Sequence, residues 1–334
     1  MNGYRYDFEK PIAELEHRLQ EAQKDAGRER HPELVKSLEA QLEGLKRNIY
    51  GSLTPWQRVQ LARHPQRPYT LDYLALLFTD VVQLHGDRLF SDDRAIVGGL
   101  GKLEGRTCVV LGHQKGRDTK DNLMRNFGSA HPEGYRKALR LMRLAEKLKA
   151  PVMIFIDTPG AYPGIGAEER GQAHSIAWNM REMARLKTPV YLCVIGEGGS
   201  GGALGIGVGD WMAMLDNAYY SVISPEGCAA ILWRDRARAP DAASALKLTS
   251  ADLLQLGIVD EVIEEPLGGA HRDPQVVAER LRGSMLRFFK MVDGLATETL
   301  LQQRYERFRK IGAFTSQPLP PSSPASPSFA PPAP

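Results

Sequence analysis

Two runs near the start of the chain keep apolar residues on one side of a helix. Phe8, Ile12, Leu15 and Leu19 step by four, three and four, and Leu34, Leu38, Leu42, Leu45 and Ile49 by four, four, three and four. The positions between them are charged or polar, so each run predicts an amphipathic helix. Pro32 suits the first turn of the second one. Residues 8–50 therefore predict a helical hairpin that packs through one apolar stripe on each helix.

After Pro55, Pro65 and Pro68 the apolar residues of LDYLALLFTDVVQL predict a helix over Leu71–Leu84. The pattern then changes to short apolar runs. Ala95–Leu103 and Thr107–Gln114 predict two strands turned at Glu104-Gly105, followed by a polar loop over 115–131 and a helix over Glu133–Lys149. VMIFI (Val152–Ile156) and VYLCVI (Val190–Ile195) are continuous apolar strands, each ending in a glycine-rich turn and separated by a helix predicted over Ala167–Leu186. A small-residue helix (ALGIGVG), strands at Trp211–Leu215 and Tyr219–Ile223, a helix at Pro225–Trp233, a strand at Ile258–Ile263 and a helix at Pro274–Val292 follow, with helical charge spacing as far as Arg309. Strands that are apolar throughout and alternate with helices predict an α/β fold whose sheet is covered on both faces.

Composition changes this picture at two places. Eight of the 32 glycines lie in 196–209, and eight of the 22 prolines lie in 318–334. The first cluster is backbone shaped for a close approach. The second, within TSQPLPPSSPASPSFAPPAP, predicts a disordered tail. Domain limits of 1–50, 51–312 and 313–334 follow. No apolar run is long enough to span a bilayer, and MNGYRYDFEKPIAELEHRL predicts neither a secretory nor a transit signal. The three cysteines, Cys108, Cys193 and Cys228, lie far apart with no CxxC pair, which argues against a disulfide scaffold or a cysteine zinc site in this chain. They fit a cytoplasmic protein.

Charge is uneven. Residues 102–149 hold 12 Lys+Arg and 5 Asp+Glu, a local net of +7, whereas the whole chain is +3. Such a field suits a ligand bearing phosphate or carboxylate. Lys115, Arg117 and Lys120 directly follow a strand and are candidates for an electropositive rim; Arg140, Arg143 and Lys147 read as a solvated helix face.

The glycine loop at 196–202 supports several chemistries. Gly196-Glu-Gly198-Gly-Ser-Gly201 satisfies GxGxxG, with Asp216 twenty residues on. Gly198-Gly-Ser200-Gly-Gly202 satisfies GxSxG, with Asp260 and His271 downstream in the order a triad needs. A third reading uses the free amides of a helix that starts directly after a strand. The turn Asp157–Gly164, at the end of the neighbouring strand, supports it, since adjacent parallel strands bring their C-terminal turns to one side. Two amide-rich turns at one cleft suit a reaction in which negative charge develops on an oxygen. Candidate acids and bases are few: Glu168, Glu169 and Arg170 open a helix, and His113, His131 and His174 show no metal spacing.

LTPWQRVQLARHPQRPYTLDY, LHGDRLFSDDRAIVGG, GHQKGRDTK, RNFGSAHPEGYRKALRLM, FIDTPGAYPGIGAEERGQ, VIGEGGSGGALGIGVGD and YSVISPEGCAAILW together resemble the carboxyltransferase alpha subunit of bacterial-type acetyl-CoA carboxylase, in order from about residue 8 to about 312. The resemblance implies a crotonase-like fold of ββα units. It also implies carboxyl transfer from carboxybiotin to acetyl-CoA, giving malonyl-CoA for fatty acid synthesis. The partners it implies are a beta subunit carrying zinc and most of the acetyl-CoA site, in an alpha2beta2 assembly, with the biotin carboxyl carrier protein and biotin carboxylase. It places an oxyanion hole for the biotin ureido oxygen at Gly201 and Gly202. Gly198, Gly199, Gly160 and Ala161 would line the biotin side, with Lys115, Arg117 and Lys120 added from charge and position. Another acyl-CoA carboxylase, a biotin-dependent decarboxylase, or a serine hydrolase of related fold using Ser200 are the alternatives. Ser129-Ala130-His131, Ala173-His174 and Gly205 depart from the family's usual residues and bear on local packing.

Overall fold

The computed structural model describes residues 6–25 and 32–312. Among them, eight strands form one mixed sheet: β1 (Thr79–Gln83), β2 (Ile96–Leu103), β3 (Arg106–His113), β4 (Val152–Thr158), β5 (Val190–Gly199), β6 (Trp211–Leu215), β7 (Tyr219–Ser221) and β8 (Glu261–Ile263). The order across the sheet is β1-β2-β3-β4-β5-β6-β8, and β7 pairs with β5. The β1–β2 and β2–β3 pairs are antiparallel, and every pair from β3 onward is parallel. Every residue of β4 and β5 is buried, as expected for parallel strands covered on both faces. The Pro132–Leu148 helix packs on β2 and β3, and the Pro274–Val292 helix brings Phe288 and Ser284 onto Tyr191 of β5.

The predicted helix over Leu71–Leu84 is shorter than its apolar run. It covers Thr70–Leu77, and the next residues form β1 at the edge of the sheet. β-Branched Thr79, Val81 and Val82 favour the extended chain. Gly99 makes this closure feasible, because a Cβ there would sit 1.9 Å from the Val82 carbonyl oxygen. The helix predicted over Ala167–Leu186 is broken into Ile165–Glu169 and Gln172–Ala184 by Gly171, whose φ of +80° belongs to the left-handed region. The stretch after Ser200 is helical only to Leu204, since Gly205, Gly207 and Gly209 add too much backbone entropy to propagate it. The polar loop over 115–131 contains a short helix, Thr119–Met124, capped by the Asp118 carboxylate accepting from the Asp121 amide at 2.8 Å.

The two N-terminal helices, Lys10–Asp25 and Pro32–Gly51, pack through Ile12, Leu15, Leu19, Leu38 and Leu42, with Tyr50 and Leu61 completing this small core. Leu34, expected in the stripe, is half exposed. The connection at 26–31 lies outside the described residues, as does the Pro/Ser-rich segment expected to be disordered. At the other end, the Thr297–Arg309 helix is locked by Arg304. Its buried guanidinium holds Asp210 at 2.7 Å and donates to the Met183, Leu186 and Thr188 carbonyls.

Candidate active site

β4 and β5 run parallel, so the turns that end them meet on one side of the sheet. Their register shifts: Ile156 pairs with Val194, but Thr158 pairs with Gly198, leaving two more residues in β5 than in β4 between those pairs. β5 thus bulges at 195–197, and beyond it the strand changes partner from β6 to β7. A bulge frees backbone groups that must find other partners. Arg67 Nε donates to the Ile195 carbonyl at 2.6 Å, and the Glu197 amide donates to Asp157 Oδ1 at 2.9 Å.

The glycines explain how the turns fit. A Cβ at Gly199 would lie 2.2 Å from the Pro159 carbonyl oxygen, and one at Gly202 would lie 2.5 Å from Gly160 C and 2.6 Å from Ala161 N. The close approach foreseen for this loop is therefore, at these two positions, an approach to the partner turn. Gly201 differs: its nearest neighbour is Ile176 Cδ1 at 3.6 Å. Thr158 Oγ1 braces the first turn by accepting from the Gly160 amide at 3.1 Å and donating to its carbonyl at 2.9 Å. The helix that starts at Ser200 has no side-chain cap. Its first amides, those of Gly201 and Gly202 included, have no intrahelical acceptor.

Beneath the turns lies a charged network. Lys115 Nζ bridges Asp157 Oδ1 at 2.6 Å and Glu197 Oε1 at 2.8 Å. Glu197 Oε2 accepts from Arg63 Nε and from the Tyr219 hydroxyl, each at 2.7 Å, and Arg63 also pairs with Glu226. Burial alone would raise the Glu197 carboxyl, but Lys115 and Arg63 hold it down at about 2. Burial likewise opposes the charge on Lys115, yet the two carboxylates keep its pKa above the ordinary lysine value. Alongside, Arg67 forms a fully buried pair with Glu265, whose oxygens also accept from the Asn217 and Ala270 amides at 3.0 and 2.7 Å. His113, at the end of β3, is buried beside Lys115 and the Gly202 backbone with neither ring nitrogen hydrogen bonded. Burial first, then the Lys115 charge, push its pKa down to about 3, so the ring is neutral.

The expected site residues separate into two sets. Gly160, Ala161, Gly198, Gly199, Gly201 and Gly202 come together at the paired turns. The three cations proposed for the rim do not act alike. Lys115 is largely buried and neutralised by two carboxylates. Arg117 pairs with Asp72, donates to the Pro65 and Arg67 carbonyls at 3.0 and 2.9 Å, and lies over the Tyr69 ring. Arg117 and Lys120 are both exposed, and of the three only Lys120 holds no ion pair among the described residues. Arg63, Arg67, Tyr219 and Glu265 were missed; the one signal available was Glu197, the only acid inside the glycine loop.

The other motif readings lose their geometry. Ser200 is exposed, and its φ of +50° makes a strained strand-to-helix turn. Among the described residues, however, its hydroxyl has no hydrogen-bond partner. Asp260 accepts from the Met212 amide at 2.7 Å and pairs with Arg307, and His271 stacks on His64. Asp216 pairs with Arg58 rather than standing free for a ribose. Glu168 and Glu169 are exposed, and Arg170 pairs with Glu133 at 2.9 Å. Of the unusual family positions, His131 stacks on Tyr162 and a Cβ at Gly205 would lie 2.5 Å from the Tyr135 ring, whereas Ala173 and His174 are exposed. No group of three or more His, Cys, Asp or Glu among the described residues is arranged to hold a metal ion, and no helix among them is long and apolar enough to cross a membrane.

The sheet and its paired turns define a crotonase-like α/β protein of the carboxyltransferase type. The fold resembles that of transcarboxylase 12S with methylmalonyl-CoA and methylmalonic acid bound (TM-score 0.55, 16% identity, 79% of this chain and 47% of that one). It also resembles the beta subunit of Pseudomonas aeruginosa geranyl-CoA carboxylase (TM-score 0.52, 16% identity, 79% and 48%) and a Pseudomonas malonate decarboxylase hetero-tetramer in complex with coenzyme A (TM-score 0.53, 15% identity, 65% and 88%). The chain spans about half the length of the first two. At the sequence level, residues 5–312 match the acetyl co-enzyme A carboxylase carboxyltransferase-like family. The acetyl-coenzyme A carboxylase carboxyl transferase alpha subunits of Geobacter metallireducens and Pseudomonas paraeruginosa are each 55% identical, over 93% and 94% of this chain and 98% and 100% of theirs. That of Bordetella pertussis is 55% identical over 92% of this chain and 97% of its own. The chain belongs to this family of carboxyltransferase alpha subunits, and is a transferase subunit.

Proposed function

We propose that this chain is the biotin-side half of an acetyl-CoA carboxylase carboxyltransferase, and that the amides of Gly201 and Gly202 form its oxyanion hole. The observation that carries this reading is the interlocked pair of turns, which fixes the glycine loop by backbone contact at Gly199 and Gly202 and leaves Gly201 clear of the opposing turn. Carboxybiotin, when delivered by the biotin carboxyl carrier protein, supplies the carboxyl group that acetyl-CoA receives to become malonyl-CoA. This chain's own part is to bind and orient. The Gly201 and Gly202 amides take the ureido oxygen, where negative charge grows as the carboxyl group leaves, and the rigid turns keep those dipoles aimed without rearrangement. Gly160, Ala161, Gly198 and Gly199 shape the wall around them. Lys115 and Arg117 hold the wall in place, and Lys120 remains for the rim. The acid and the imidazole beside the loop are engaged or enclosed, Glu197 by Lys115 and Arg63 and His113 by burial, and the methyl proton of acetyl-CoA is left to biotin itself.

The remaining parts belong to the same reading. A beta subunit brings zinc and most of the acetyl-CoA site in an alpha2beta2 assembly, fed by biotin carboxylase in the cytoplasm, as the first committed step of fatty acid synthesis. Residues 1–50 form an accessory arm on the carboxyltransferase unit 51–312, with 313–334 as a tail. The test is malonyl-CoA-dependent carboxylation of biocytin by this chain plus its beta partner. Gly201→Val is expected to lose roughly 100-fold or more, the scale of a deleted oxyanion donor, while still assembling. Unchanged turnover in an assembled Gly201→Val complex would remove the oxyanion role, and turnover only with a longer acyl-CoA would replace acetyl-CoA as the substrate.

A further inference from the structure

The Gln172–Ala184 helix has two working faces. Ile176 faces Gly201, whereas His174, Ser175 and Trp178 line a cavity of about 770 Å³ on the other side of the helix. The opposite wall of that cavity is the Pro132–Leu148 helix and the loop at 85–91. Its volume is that of a small-molecule site.

Three cations lining it have no carboxylate within ion-pair distance among the described residues. Arg88 and Arg140 donate only to main-chain carbonyls, His85 O at 3.4 and 3.2 Å and Gly86 O at 3.0 Å from Arg140, and Lys147 has no partner. Burial and the nearby Arg88 charge push the Arg140 pKa down against the weaker opposing pull of Asp92 and of Asp87, which also lines the cavity but is paired with Arg136. Arg88 is held there by construction. Its φ is +66°, and the preceding Asp87 fixes the loop by accepting from the Leu89, Phe90 and Ser91 amides at 3.0, 2.8 and 3.1 Å while pairing with Arg136 at 2.8 Å. A strained loop that sets an unpaired arginine beside another stores repulsion that an anion relieves. Leu139, Leu144 and Trp178 supply an apolar and aromatic wall beside the charges.

We propose that this cavity is a binding site for a nucleotide-type ligand, with phosphates held by Arg88, Arg140 and Lys147 and the planar base against Leu139, Leu144 and Trp178. Arginine suits phosphate because its planar fork donates in pairs. The site stands on the far side of the helix from the glycine loop and does not depend on what that loop binds.

The test is calorimetric titration of the full-length chain at low salt with ADP, adenosine and pyrophosphate. ADP should bind more tightly than either fragment. Arg88→Glu and Arg140→Glu should each weaken ADP binding by roughly tenfold or more, and Arg236→Glu, an exposed charge reversal elsewhere, should not. Circular dichroism confirms that each variant is folded, and Trp178→Leu should weaken ADP while leaving pyrophosphate unchanged. Absence of ADP binding, an affinity unchanged from the native chain in both arginine variants, or pyrophosphate binding as tightly as ADP would overturn the proposal.

Discussion

Two basic regions of this molecule treat charge in opposite ways. Under the paired turns, Arg67 is fully buried and Lys115 and Arg63 largely so, and the three are matched to Asp157, Glu197, Glu226 and Glu265. Across the Gln172–Ala184 helix, Arg88, Arg140 and Lys147 face a cavity without a carboxylate partner. In the first region cations hold the backbone of the paired turns in shape. In the second they are left available to bind. Local charge in the sequence does not distinguish these uses, since Lys115 and Arg140 belong to the same basic stretch.

The contrast breaks most sharply at Arg67. Arg67→Met leaves Glu265 buried without its counter-ion and Ile195 without its donor, and is expected to cost about 3–5 kcal/mol in urea unfolding. A cost under about 1 kcal/mol would mean that the inner pairs are not structural. Lys115→Met should follow at about 2–4 kcal/mol, because Asp157 and Glu197 lose a shared cation but Glu197 keeps Arg63. Its carboxyltransferase activity should fall with stability held above the assay temperature, reporting the displaced turns.

Acid sharpens the comparison further. The Glu197 carboxyl is depressed from its ordinary 4.5 to about 2 in the folded protein. Its contribution is therefore complete above about pH 4.5 and is lost as pH falls toward 2. Stability of the native chain should drop faster than that of Glu197→Gln over that window, the two curves converging at the acid end; parallel curves would deny the pair its role. The smallest effect belongs to the outer region. Arg140→Gln should change stability by no more than about 0.5 kcal/mol in either direction, and a larger loss would show that this arginine is tied down after all.

Much of the architecture was legible because it rests on local patterns. The continuous apolar runs of β4 and β5 and the stepped leucines of the hairpin each carry their own periodicity. Edge strand β1 was not legible, since its valines continue the apolar content of the helix before it and only the partner strand decides between them. The glycine loop announced itself, but its reason did not. Gly199 and Gly202 are glycines because of Pro159, Gly160 and Ala161, forty residues earlier. The burial of Lys115 was hidden for the same cause. Whether Lys115 points at solvent or at Glu197 is decided by the bulge in β5, and a bulge leaves no trace in charge or hydropathy.

That interlock also bears on how the molecule is made. Apart from the local Thr158–Gly160 bonds, the two turns are moulded against each other's backbone, and the two strands that carry them are separated by a whole helical crossover. Pairing at that distance in sequence is slow and comes only after the intervening chain has been organised. Nascent or partly unfolded copies therefore lack aligned amides at these turns, so that amide alignment itself reports completed folding.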